Sequence, residues 1–194
     1  MSGRHTPSGG ADLTEIKVES EMVFDGKLLH VRRDTVRLPD GNLATREYIV
    51  HPGAVLIVPV LPDGRLVVER QYRYPLGCVL IEFPAGKLDP GETPLATGQR
   101  ELREEAGYTA ARWQPLGRVH SVVSYSTEAI EFFVAEGLTH VGAALDDGEF
   151  LEIAALSVEA MLAALDRGEI TDAKTVAALL LYVRRLDATL PRHR

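Results

Sequence analysis

The sequence predicts an α/β fold with a mixed β-sheet, on three observations. Short apolar and β-branched runs recur along most of the chain, broken by Pro-Asp-Gly turns. Helical patterning appears in one central segment and in two closing segments. The regular strand–helix alternation of a doubly wound parallel sheet is absent, so short-range hairpins must build much of the sheet.

Residues 1–14, opening MSGRHTPSGGAD, are polar and read as a disordered tail. Residues 15–50 read as an N-terminal β segment, with successive strands over 21–50. Within it LLHVRRDTVRL, the turn PDGN and LATREYIV predict a hairpin. Residues 51–190 read as a second, larger domain. GAVLIVPVL, the turn PDGR and LVVERQYRY form another hairpin, and CVLIEF, WQPLGRVH and AIEFFVAEGL are further strands. The polar stretch DDGEFLE then leads to SVEAMLAALDRGEI, a helix capped by Ser157 and stopped at Gly168. TDAKTVAALLLYVRRL closes the domain as a helix whose Ala and Leu positions cover a sheet.

Composition narrows the function. A net charge of −7 argues against binding nucleic acid by broad phosphate neutralisation. It leaves a small phosphorylated substrate open, since a divalent cation bridges acidic side chains to phosphate oxygens. No apolar run reaches the roughly 18 residues of a membrane span, and no secretory signal is recognisable, so a cytoplasmic protein with no membrane partner is expected. The single Cys78 excludes an internal disulfide framework and reads as a buried thiol. His51 and His120 belong to no ligand cluster and read as packing or surface residues.

The chemistry concentrates in GKLDPGETPLATGQRELREEAGY, residues 86–108. Thr93 and Pro94 start a helix, and Gly107 ends it. On a helical projection Leu95, Leu102 and Ala106 share one side, while Glu101, Glu104 and Glu105 fall within an arc of about 100° on another. Like charges at this spacing cost about a few tenths of a kcal/mol on an exposed helix, offset here by Arg100 and Arg103. An acidic surface accounts for the pattern, and so does a site for hard divalent ions, which prefer carboxylate oxygens. The preceding loop adds Glu92, and Gly86 and Gly91 let its backbone come close.

This stretch resembles the Nudix box: Gly, five residues, Glu, seven residues, Arg-Glu-aliphatic, one residue, Glu-Glu, one residue, Gly, then an apolar residue. Gly86, Glu92, Arg100, Glu101, Leu102, Glu104, Glu105 and Gly107 are in register, and Tyr108 stands where an aliphatic side chain is usual. Outside the box, REYIVHPGAVLIVPV, VVERQYRYPLG, IEFPAGKLDPGE and EITDAKTVAALLL resemble the branch that cleaves ADP-ribose and related nucleotide sugars. The resemblance covers roughly residues 20–185. It implies a Nudix α/β/α sandwich preceded by a small β domain, which in that branch often supports a homodimer and reaches the partner's substrate.

The resemblance also implies the roles. Glu101, Glu104, Glu105 and the carbonyl of Ala85 would hold Mg²⁺ or Mn²⁺ for hydrolysis of a nucleotide-diphosphate substrate, ADP-ribose giving AMP and ribose 5-phosphate. Glu92 either binds through water or braces the loop, and Arg100 supports the glutamates. The general base is expected on the loop carrying DDGEFLE, with Glu149 first, then Asp147 and Glu152. Arg70 and Arg73 read first as phosphate ligands and almost as well as surface ion pairs. Glu82 is a candidate nucleotide or metal-shell contact, and Glu128 is placed near the pocket. Tyr72, Tyr74 and Phe83 are either base-stacking or packing residues. The branch commonly carries Ser-Pro-Gly where this chain has Val122, Val123 and Ser124. Losing both Pro and Gly is expected to reshape that loop. GDP-mannose, another ADP-sugar, a dinucleotide or an oxidised nucleoside triphosphate are alternative substrates, and a weakly catalytic regulatory protein is an alternative class.

Overall fold

The computed structural model describes residues 11–145, 148 and 150–189. It divides into two compact units, one of residues up to His51 together with Val122–Thr127, the other of Pro52–Ser121 with Glu128 onward.

The first unit is a three-stranded antiparallel sheet of β1 (Ile16–Asp25), β2 (His30–Arg37) and β3 (Leu43–Val50). β2 and β3 form the expected hairpin, in register from His30↔Val50 to Arg37↔Leu43. β1 begins before residue 21, where the sequence reading started its strands, and is bulged after Lys17 and after Met22. The segment Val122–Thr127 joins this unit: Ile49 N donates to Tyr125 O at 2.9 Å and Thr127 N donates to Ile49 O at 3.0 Å.

The second unit holds β4 (Ala54–Val60), β5 (Leu66–Arg73), β6 (Cys78–Glu82), β7 (Ala85–Lys87), α1 (Pro94–Glu104), β8 (Tyr108–Val119), β9 (Ile130–His140), β10 (Leu151–Leu156), α2 (Val158–Asp166) and α3 (Ala173–Thr189). The sheet runs β10-β5-β4-β9-β8, with β6 on β5 and β7 on β4. β4 and β9 are parallel and the other pairs antiparallel, so the sheet is mixed.

β4 is apolar on both faces because both faces are covered. Val55 and Ile57 pack with Leu102 and Ala106 of the α1 segment, while Leu56 and Val58 pack with Met161 of α2 and Leu179 of α3. Alternate residues of one strand thus serve two helical layers, which makes the α/β/α sandwich.

Three sequence expectations change. β10 lies in what read as a polar approach to α2; only its partner β5 gives this mixed segment a sheet position. Leu95 is exposed, and α1 instead buries Thr97 and Gly98. A Cβ on Gly98 would lie 3.3 Å from Trp113 and Val55, so the small residue lets the helix approach the sheet closely. Cys78 is exposed, at the turn end of the β5–β6 hairpin opposite Arg73. α2 and α3 match expectation, and Gly168 follows α2 in the left-handed region.

Candidate active site

α1 starts where Thr93 Oγ1 accepts from Ala96 N, with Pro94 in the first turn, and its end is fixed by Gly107 at φ 74°. The acidic face of this helix is organised by one guanidinium. Arg100 Nε and Nη2 donate to Glu92 at 3.1 and 3.0 Å, and Nη1 donates to Glu101 at 2.8 Å and Glu104 at 3.0 Å. Nη2 also reaches the Lys87 carbonyl at 3.2 Å. The hydrogen bond to Glu92, with those to Glu104 and Glu101, overrides partial burial and raises the Arg100 pKa.

Glu92 is a brace. Besides Arg100 it accepts from Thr97 Oγ1 at 2.8 Å. These bonds, Arg100 first, hold its pKa at about 2. Glu105 is buried and accepts from the amide of Ala85 at 3.0 Å, tying the end of α1 to the start of β7.

Besides Gly98, the three glycines of residues 86–108 have different reasons. Gly91 has φ 88° and open space around it, so it serves the turn. Gly107 combines positive φ with crowding: a Cβ there would lie 2.7 Å from Ala143 N. Gly86 has ordinary φ, yet a Cβ would sit 1.7 Å from Glu101 Oε1. Its missing side chain is the space that the Glu101 carboxylate fills.

Among the described residues, no three His, Cys, Asp or Glu side chains are gathered to hold an ion. The physical reason is Arg100, whose Nη1 bridges Glu101 and Glu104. The donor set still fits a hard divalent cation: carboxylates outnumber the single guanidinium they share, and Gly86 leaves room beside Glu101. On the α1–β8 side, Arg100, Arg103, Glu104 and Trp113 help line a cavity of about 410 Å³.

The other sequence candidates divide. Arg73 Nε and Nη2 form a two-pronged contact with Glu82, both bonds 2.7 Å. Glu82 is buried and also binds Lys174 of α3. Burial pushes the Glu82 pKa up, and the hydrogen bonds and charges of Arg73 and Lys174 override it, leaving it below the usual carboxylate range. Arg70 is ion-paired at 2.6 Å with Glu152, its register partner on β10, and both are exposed. Glu128 accepts from Ser121 just before β9. Phe83 is fully buried as a packing residue, whereas Tyr72 and Tyr74 are exposed. Glu149 and Asp147 lie outside the described residues. Val123 is exposed and Ser124 has no positive φ, so the loop turns here without the Pro and Gly of the branch.

Sequence reasoning missed Glu69, Asp172, Lys174 and Thr175. Glu69 is fully buried and lies opposite Glu82 across the β5–β6 ladder. An acid directly after the apolar run LVV was the available signal for it. The others come from the segment DAKT, where Lys174 and Thr175 have partners 92 residues away, invisible to local pattern, and Asp172 holds those two in place.

Comparison with known proteins agrees with this architecture. Residues 50–179 match the NUDIX domain, and residues 15–49 match the nucleoside diphosphate sugar hydrolase N-terminal domain. The chain therefore belongs to the Nudix family and is a Nudix diphosphatase. It is 36% identical over 169 residues to an ADP-ribose pyrophosphatase of Bacillus subtilis, covering 86% of this chain and 91% of that protein. It is 35% identical over 167 residues to a methanol dehydrogenase activator of Bacillus methanolicus, covering 85% and 90%. A crystal structure of an ADP compounds hydrolase superposes with a TM-score of 0.83 at 26% identity, covering 93% of this chain and 98% of that one.

Proposed function

We propose that this protein hydrolyses the diphosphate of a nucleotide sugar, with ADP-ribose preferred and AMP and ribose 5-phosphate as products. The observation that carries the reading is the set of α1 carboxylates beside Gly86, in a chain aligned over most of its length with an ADP-ribose pyrophosphatase. Glu101, Glu104, Glu105 and the carbonyl of Ala85 would hold Mg²⁺ or Mn²⁺. Such ions supply charge neutralisation, Lewis acidity and activation of water.

The chain's own groups do the rest. Arg100 fixes the rotamers of Glu101 and Glu104, and the Ala85 amide fixes Glu105. Arg73 Nη1 makes no hydrogen bond among the described residues, which leaves a donor for a phosphate oxygen. A loop carboxylate, Glu149 first, would take the proton from the attacking water. Water then adds to one phosphorus as the bridging P–O bond breaks, leaving a phosphate monoester on each product.

The exposed apolar residues of the N-terminal sheet, among them Ile16, Val18, Phe24 and Leu43, favour a homodimer formed through that unit, which light scattering tests. The likeness to a methanol dehydrogenase activator favours a second reading, a regulator of another enzyme.

The deciding experiment is Mg²⁺-dependent product formation on ADP-ribose, other ADP-sugars, GDP-mannose and a dinucleotide, resolved by chromatography. Preference for ADP-ribose is expected. Preference for another substrate corrects the specificity, and binding without turnover under Mg²⁺ or Mn²⁺ replaces this reading with the regulatory one.

A further inference from the structure

Four consecutive residues, 82 to 85, are each held by groups from elsewhere in the second unit. The Glu82 carboxylate is gripped by Arg73 of β5 and Lys174 of α3. The Phe83 amide donates to Thr175 Oγ1 at 3.0 Å. The Pro84 carbonyl accepts from Ile57 N at 2.9 Å, and the Ala85 amide donates to Glu105 at 3.0 Å. Two of these restraints come from the first turn of α3. That turn is itself fixed by Asp172, which accepts from Thr175 N at 3.0 Å and pairs with Lys174 at 3.0 Å.

We propose that the first turn of α3 is a positioning clamp for the diphosphate site: Lys174 sets Glu82 and, through it, the Arg73 guanidinium, while Thr175 sets the corner that presents Ala85. The proposal rests on the diphosphatase reading above.

Stability alone is a weak reason for such a cluster. Glu82 is 1% exposed and Lys174 18% exposed, and removing charges from water costs about as much as their pairing returns. Well-packed apolar side chains would hold α3 on the sheet equally well. What charged groups add is direction. Glu82 takes two edges of the Arg73 guanidinium, so Nη1 is aimed instead of free to rotate, and the Arg73 side chain remains 36% exposed for a ligand. Lys174 supplies a second positive charge to Glu82, so Arg73 is not left alone to neutralise it. Glu82 also stands three residues before Ala85, at most about 10 Å along an extended chain. An error at Glu82 or Phe83 is therefore passed on to the corner facing Glu105.

The test is calorimetric binding of ADP with Mg²⁺, alongside hydrolysis and melting, for the wild type and four variants. Lys174→Met is expected to weaken ADP binding about tenfold, and Lys174→Arg to recover most of it. Thr175→Val is expected to raise the Mg²⁺ concentration needed for half-maximal ADP binding about tenfold, as for other residues that orient a ligand, with Thr175→Ser recovering it. Wild-type affinities in Lys174→Met and Thr175→Val overturn the clamp. So do conservative variants as impaired as the disruptive ones, or losses that merely follow the melting temperature. A wild type that binds ADP yet hydrolyses nothing removes the diphosphatase reading alone, with the clamp still judged by the binding series. A wild type that does not bind ADP with Mg²⁺ or Mn²⁺ removes both.

Discussion

The second unit contains two carboxylate clusters with opposite charge logic. On α1, Glu92, Glu101 and Glu104 share one cation, Arg100, at a partly open surface. On the other side of the β7 corner, the buried Glu82 is shared by two cations, Arg73 and Lys174. The first cluster is short of positive charge and has room to accept more. In the second, two cations grip one buried carboxylate, Asp172 and Glu69 also lie near those cations, and its members point along fixed directions. The same residue type thus serves as an ion acceptor in one place and as an orienting strut in another, according to partners and burial.

The largest test of that difference is neutralising one glutamate in each cluster. Glu104→Gln is expected to lower kcat/KM by roughly 10³-fold, since a ligand's loss forfeits several kcal/mol of charge stabilisation. Its melting temperature should hardly move, because Glu104 is 35% exposed. Glu82→Gln reverses the pattern. It removes the buried carboxylate that Arg73 and Lys174 share, leaving Lys174 only Asp172 as an ion-pair partner, and is expected to cost about 3 kcal/mol, a fall of roughly 6–12 °C by calorimetry. Equal melting losses in the two variants would erase the distinction.

Gly86→Ala sharpens the account of the α1 cluster. The backbone there suits alanine, but the new methyl takes the place of the Glu101 carboxylate. A folded protein with normal circular dichroism and about 10²-fold lower turnover is expected, the scale of an ångström-sized misplacement. Gly107→Ala is the control, where strain and a backbone clash should instead lower stability.

The smallest effect concerns Glu92. Its folded-state pKa is depressed to about 2 from an ordinary 4.5. Its contribution to stability is therefore fully present above about 4.5 and is lost as pH falls through about 2. Glu92→Gln should flatten the fall in melting temperature across that window, as read by melting curves at closely spaced pH. An unchanged slope would mean that Arg100 holds its other partners without this brace.

Much of this site was legible in the sequence because its spacing is local. Thr93, Pro94 and Gly107 bound one helix, and helical geometry alone puts Glu101, Glu104 and Glu105 on one side. The hairpins were legible for the same reason, through turn residues and apolar runs. β10 was not, since its mixed segment acquires a place only by pairing with β5. Leu95 misled because helical angle does not say where along its length α1 meets the sheet.

By itself, then, the sequence determined the local elements and the acidic helix face, because backbone sterics, capping and periodicity act over a few residues. Only the tertiary structure decided that Arg100 bridges the acids, that Gly86 is the space for Glu101, and that Glu82 is buried between Arg73 and Lys174. Those facts depend on side chains brought together by packing across the chain, and on burial, which sets whether a carboxylate stays open to a cation or is fixed as a strut.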